Sequence, residues 1–221
     1  MRRCCGKVTV RPCSRGRNKG MEDVYLRALE AADLDRTRKW HNDPQLYDTL
    51  VSPFRYVSQA AEGEWIRTKV AYSQTEIQLA ICLKEGDRHI GNIHLTDIDW
   101  VSRHGHLGIF IGETQYQLKS YGQQALRLML RHAFTDLGLH RVYLTVLDDN
   151  PRAIRVYEKC GFVIEGRLRQ HAYKRGRFRD LILMGICAGD PIGDGADNTD
   201  RRWAGQSQPL RPHAEVVQDG K

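Results

Sequence analysis

No stretch of this chain approaches the roughly 18 consecutive apolar residues of a membrane span. Its N-terminal segment lacks the apolar core of a secretory signal, so a cytoplasmic protein with no membrane partner is expected. The six cysteines lack a pattern as well. Cys4, Cys5 and Cys13 crowd the N-terminus and Cys82, Cys160 and Cys187 are scattered, with neither paired metal-ligand spacings nor a disulfide framework. Reduced thiols and no metal are expected. Cys160 has no patterned His and acid partners and reads as small packing filler. There is no internal repeat.

Residues 21–221 also lack net charge. The chain carries +7, but Arg2, Arg3, Lys7, Arg11, Arg15, Arg17 and Lys19 precede any acid and account for all of it. Phosphate affinity needs a clustered basic surface held in place, so this distribution argues against a nucleic-acid partner and for a solvated leader. What remains is ordinary for a soluble domain: 41% hydrophobic and 28% charged residues suffice for a real core. The expected organisation is a basic disordered leader over 1–20, one folded domain over 21–187, and a disordered tail over 188–221 rich in Gly, Pro, Asp and Gln.

Local patterning predicts strands at 24–29, 76–84, 89–99, 106–112 and 141–147. Helical stretches are expected from Asp33, as cap, to Trp40, around 62–71, and over 121–136, where Ala125, Leu126, Met129, Leu130, Ala133, Phe134 and Leu137 recur at threes and fours. Asn150-Pro151 supplies an N-cap and a proline at the first helical position, and Gly161 ends that helix. A hairpin closes the domain across Arg175-Gly176. The fold class is α/β in the α+β sense: a mixed, mostly antiparallel sheet with helices on both faces and one strand–helix–strand unit at its centre.

Two segments carry chemistry. Residues 116–123, Tyr-Gln-Leu-Lys-Ser-Tyr-Gly-Gln, join a buried strand to a helix. Such a junction presents free N–H groups and the positive end of the helix dipole, an anion site suited to a pyrophosphate. Gly122 permits close approach and Lys119 adds charge, although an ordinary strand-to-helix loop has the same outline. In the second segment Asn150 and Tyr157 lie seven apart, on about one helical face. Arg155 and Lys159 are placed to meet a phosphate. A tyrosine there can equally be a core aromatic with its hydroxyl tied off.

Together the segments resemble the GNAT superfamily of N-acetyltransferases. The motif Q/R-x-x-G-x-G/A is echoed at 117–122, with Ser120 in place of the usual Gly, and N-x-x-A-x-x-x-Y-x-x-x-G-F is met in full at 150–162. Leu26-Arg27-Ala28-Leu29, the Trp-His-Asn-Asp-Pro run at 40–44, Ile90-Gly91, Glu165-Gly166 and Asp180 look like the RimJ/RimL and spermidine acetyltransferase branch.

The resemblance implies acetyl-CoA as co-substrate, lying in a splayed opening between residues 109–111 and the strand Arg141–Leu147. Its implied holders are Ile109, Phe110, Ile111, Gln117, Lys119, Ser120, Gly122, Gln123, Asn150, Ala153, Tyr157 and Lys159. Tyr157 would protonate the leaving thiolate. His106 stands where the branch often has Glu and is the expected base, with Glu113 and His94 as other candidates. Ser120 either obstructs the pyrophosphate, if its φ is positive, or donates to it. The expected acceptor is a primary amine: a protein N-terminus, a polyamine or a small amino compound. A homo-oligomer and a non-catalytic acyl-CoA- or protein-binding module on the same fold both stay open.

Overall fold

The computed structural model describes residues 22–193, so the expected leader and all but the first six residues of the expected tail lie outside the described residues. The strands are β1 (Val24–Ala28), β2 (Ile77–Leu83), β3 (Arg88–Asp99), β4 (His104–Ile111), β5 (Arg141–Leu147), β6 (Val163–Lys174) and β7 (Arg177–Cys187). They form one seven-stranded sheet in the order β1-β2-β3-β4-β5-β7-β6. Every neighbouring pair is antiparallel except β4 with β5. The helices are α1 (Leu34–His41), the single turn α2 (Pro44–Tyr47), α3 (Gln59–Val70), α4 (Tyr121–Arg131) and α5 (Pro151–Lys159).

The two faces of the sheet are covered differently. On one, α4 buries Ala125, Leu126, Met129 and Leu130 against Ile93, Leu95, Leu107, Val142 and Leu144, and α5 adds half-buried Ala153, Ile154, Val156 and Tyr157. Truncating Leu130, fully buried here, to alanine should cost about 2–5 kcal/mol. On the other face Leu29, Ile66, Ala80 and Cys82 form a smaller core with Trp65 and Leu34, so α1 and α3 lie there. The period of the α4 residues specifies the first packing directly.

Several local expectations are refined. The helix expected over 121–136 runs as α-helix to Arg131 and continues through a π-type turn, His132–Asp136, where the Leu137 N–H reaches the His132 carbonyl at 3.1 Å. Asp33 precedes α1 but does not cap it with its side chain. Its carboxylate instead accepts from the Glu30 N–H at 3.0 Å and from Arg27 at 2.7 and 2.8 Å, and approaches His89 Nδ1 at 3.0 Å. Burial opposes the charge on Asp33, but Arg27, the Glu30 N–H and His89 outweigh it and bring the carboxyl down to about 2. α3 begins at Ser58, whose hydroxyl accepts from the Ala61 N–H at 3.1 Å. Within residues 188–193 the Ala188 N–H donates to the His140 carbonyl at 2.7 Å, and half-buried Ile192 packs against the larger core.

Candidate active site

β4 and β5 pair over only three positions, His104 with Arg141, Gly105 with Val142 and His106 with Tyr143. Beyond these, β4 stays tied to β3 as far as Ile111 opposite Gly91, and β5 to β7 as far as Leu147 opposite Leu181. Each strand thus follows its outer neighbour, and a wedge opens between residues 107–111 and 144–147. The backbone groups along its two inner edges lack strand partners and are free to bind an extended ligand. Ile109, Phe110 and Ile111 line it and are half-buried. Alternation along β4 turns Ile109 and Ile111 toward the α4 side, while His106, Gly108 and Phe110 face α1 and α3.

At the end of β4 the chain makes a one-turn 3-10 helix, Thr114–Tyr116, and enters α4 through a tight loop. Leu118 and Ser120 both take positive φ, 67° and 64°, with Lys119 between them on the ordinary side. Alternating handedness of this kind gathers successive N–H groups into a concave anion site. The Ser120 hydroxyl makes no cap bond to the helix. The first intrahelical bond in α4 runs from Gln124 to the Ser120 carbonyl at 3.0 Å, so the N–H groups of Tyr121, Gly122 and Gln123 point out of its positive end. A β-carbon built on Gly122 would meet only Ile111 Cγ1, at 3.9 Å. The space beside this glycine is therefore open to a ligand. Lys119 is exposed and lies 5.5 Å over the Tyr116 ring. Gln117 braces the loop, its amide donating to the Ile111 carbonyl at 3.0 Å and pinning the turn to the end of β4.

α5 runs beside this loop. Asn150 is its cap, accepting from the Ala153 N–H at 3.1 Å and donating to the Thr49 carbonyl at 3.3 Å. That accounts for Asn150 and Ala153 in local terms and ties α5 to the segment after α2. At the other end the Cys160 thiol lies 3.9 Å from the Gln123 carbonyl, which sets the last turn of α5 against the first turn of α4. Gln123 Nε2 is buried there without a partner among the described residues. Lys159 and Arg155 are exposed on α5. Tyr157 stacks edge-on with Phe162 at 5.9 Å, and its hydroxyl makes no hydrogen bond among the described residues. Burial, aided by the nearby Cys160 thiol, pushes it up to about 12, so the phenol keeps its proton.

The histidines gather on the opposite face. His106 occupies the last paired position, with its ring 5.2 Å from that of Tyr143. His94 stands opposite Gly108 in register, and a β-carbon on Gly108 would collide with its imidazole. Burial first, then the His106 charge, brings His94 down to about 4. Burial also lowers His106, with Asp97 pulling the other way. Both are neutral near pH 7. Glu113 is occupied elsewhere, accepting from Lys39 at 3.2 Å and from the Trp40 indole at 3.3 Å. Sequence reasoning missed a buried pair beside Phe110: His41 Nδ1 lies 2.8 and 3.0 Å from the Glu62 carboxylate, with Trp65 edge-on at 4.7 Å. His41 stood in the Trp-His-Asn-Asp-Pro run, but nothing local linked it to Glu62, 21 positions away.

The acetyltransferase (GNAT) domain family matches residues 23–163 of this chain. The spermidine N(1)-acetyltransferase of Vibrio cholerae is 29% identical over 165 residues, covering 74% of this chain and 92% of that protein. An L-amino acid N-acetyltransferase of Escherichia coli K12 is 29% identical over 168 residues, covering 74% and 98%. Among solved structures, the Vibrio cholerae spermidine N-acetyltransferase in complex with CoA and spermine aligns with a TM-score of 0.71 at 28% identity, over 76% of this chain and 97% of that one.

Proposed function

Since the chain belongs to the GNAT acetyltransferases, which move the acetyl group of acetyl-CoA onto an amine, we propose that its β4–β5 wedge and the α4 turn hold that substrate and that Tyr157 and His106 serve the transfer. The observation that carries this reading is the pairing that stops at His106 and Tyr143. It leaves strand backbone free along residues 109–111, next to a helix N-terminus with open space at Gly122.

The α4 turn, with Ser120, Gly122, Gln123 and Lys119, takes the pyrophosphate, the positive φ of Ser120 curling the backbone N–H groups into a concave anion site rather than blocking it, and the edges of Ile109, Phe110 and Ile111 take the extended arm. The acceptor enters from the α1–α3 face, where His106 accepts the ammonium proton. Held neutral by burial, this imidazole is available as a base at pH 7. The amine nitrogen bonds to the thioester carbonyl carbon, the carbon–sulfur bond breaks with its electron pair leaving on sulfur, and the second proton that the nitrogen sheds as the amide forms ends on that sulfur. Tyr157 meets that charge with its proton. A phenol near 12 gives up its proton less readily than an ordinary one near 10, so its contribution is a strong hydrogen bond to the developing thiolate. A hydrogen bond to a charged group is worth about 1.5–3 kcal/mol, or roughly 10- to 150-fold in rate.

Tyr157→Phe should therefore lower kcat by about that factor while calorimetry shows unchanged CoA affinity. Full activity in the variant would remove Tyr157 from the mechanism. For the acceptor, the names of the relatives point to spermidine and L-amino acids. A screen of these beside peptide N-termini, read by thiol release, tests the amine class.

A further inference from the structure

A cavity of about 190 Å³ opens at the far end of β5, lined by Asp48, Leu147, Asp149, Lys174, Arg175, Arg177 and Arg179. Its residues converge from distant parts of the chain. Asp48 comes from the segment after α2 and Asp149 from the β5–α5 connection, while the four cations come from the β6–β7 hairpin. The hairpin is anchored from inside the cavity: Lys174 Nζ donates to the Tyr47 carbonyl at 2.9 Å and to the Ser52 carbonyl. Arg175 binds Asp48 at 2.7 Å, and Arg179 lies 2.8 Å from Asp149. Two carboxylates thus answer four cations. Arg177 has no carboxylate partner among the described residues, and Arg179 Nε is buried without an acceptor. A cavity with surplus positive charge and an unused buried donor suits an anion.

The position of the cavity says whose anion. Leu147 packs with Val51, Leu168, Ala172 and Leu181, and it shares with Tyr143 the face of β5 on which His106 and the acceptor amine lie. The α4 turn proposed to take the pyrophosphate is on the other face, so the cavity is separate from that turn. Tyr143 and Leu147 stand four positions apart on β5, roughly 13 Å along the strand. A free amino acid, with its carboxylate on the carbon that bears the amine, does not span that distance. An extended peptide, at about 3.3–3.6 Å per residue, reaches it with an acidic side chain near its second to fourth residue. Spermidine would bring further positive charge against surplus positive charge.

We propose that this cavity selects an acidic peptide N-terminus as the acceptor. The proposal rests on the acetyl-transfer reading above and deepens it. The test is thiol release from acetyl-CoA by the full chain with tetrapeptide amides beginning Ser-Asp-Asp, Ser-Ala-Ala and Ser-Lys-Lys, and with spermidine. The acidic peptide should exceed the neutral one in kcat/KM by about tenfold or more, with the basic peptide and spermidine lower still. Arg177→Gln, at an exposed position with no ion pair to lose, should collapse the acidic preference toward parity without moving KM for acetyl-CoA. Turnover with no acidic preference, or a preference that survives Arg177→Gln, overturns the proposal alone. Turnover of an L-amino acid but of none of these four acceptors overturns the proposal alone, whereas no turnover with any acceptor, L-amino acids included, overturns the acetyl-transfer reading and this proposal with it.

Discussion

Replacing Gly122 with alanine should strengthen the fold and weaken CoA binding at once. Gly122 lies in the first turn of α4 without a positive φ, and a β-carbon there meets only Ile111 Cγ1 at the ordinary contact distance of 3.9 Å. Nothing in the protein resists the substitution. Glycine in a helix costs roughly 0.5–1 kcal/mol relative to alanine, so the variant should gain up to that much. For a domain of about 170 residues, each kcal/mol moves Tm by roughly 2–4 °C, and a rise of about 1–4 °C is expected in scanning calorimetry without ligand. The same methyl group occupies the space through which the pyrophosphate approaches the N–H groups of the turn. Losing one hydrogen bond to a charged oxygen costs about 1.5–3 kcal/mol, a rise in Kd of roughly 10- to 150-fold. Titration calorimetry with CoA measures this directly, and the thermal shift produced by saturating CoA should shrink in step. A more stable variant whose CoA affinity is unchanged would refute the placement of the phosphates at this turn. A less stable variant would refute the open space at Gly122.

Other outcomes follow from the same geometry. Ser120→Gly should stabilise the protein by about 1 kcal/mol, since a left-handed φ costs a residue with a β-carbon roughly 1–2 kcal/mol; CoA affinity should hold, and a marked loss would assign the hydroxyl to a phosphate. His94, brought down to about 4 from its ordinary 6.5, is neutral in the fold where an unfolded chain would bind a proton. Its share of stability is complete above about 6.5 and is lost as pH falls toward 4, so His94→Gln should flatten the pH dependence of stability in that window. Asp33, held at about 2, behaves as a depressed carboxyl: its contribution, on the order of 2 kcal/mol, is present above about 4 and lost as pH falls through 2. Asp33→Asn should thus destabilise at pH 7 and converge on wild type near pH 2 in urea titrations. Asn150→Ala should lose about 1 kcal/mol through the α5 cap, whereas Asn150→Asp keeps the cap acceptor and loses only the donor to Thr49; equal losses in the two would contradict the cap.

The pattern of residues alone determined the elements that build the site. The period of Ala125, Leu126, Met129 and Leu130 specifies α4 and its buried stripe, because helical geometry places threes and fours on one side whatever the rest of the chain does. Asn150-Pro151 and Gly161 delimit α5 through local cap chemistry, and the match to the GNAT signature over 150–162 was legible for the same reason. Helix ends were less legible: Asp33 looked like a cap by position, but its carboxylate is claimed by Arg27 and His89, the latter 56 residues away.

Only the tertiary structure decided what depends on distant segments meeting. The wedge exists because β4 and β5 follow different neighbours beyond His106, a matter of pairing between strands that no local period reports. Glu113 meets Lys39 and the Trp40 indole, and His41 and Glu62 found each other across two helices. The basic cavity joins the segment after α2 to a hairpin more than 120 positions later. Local physics fixes which face an element buries. Which charges end up sharing a cavity is settled by the packing of those faces.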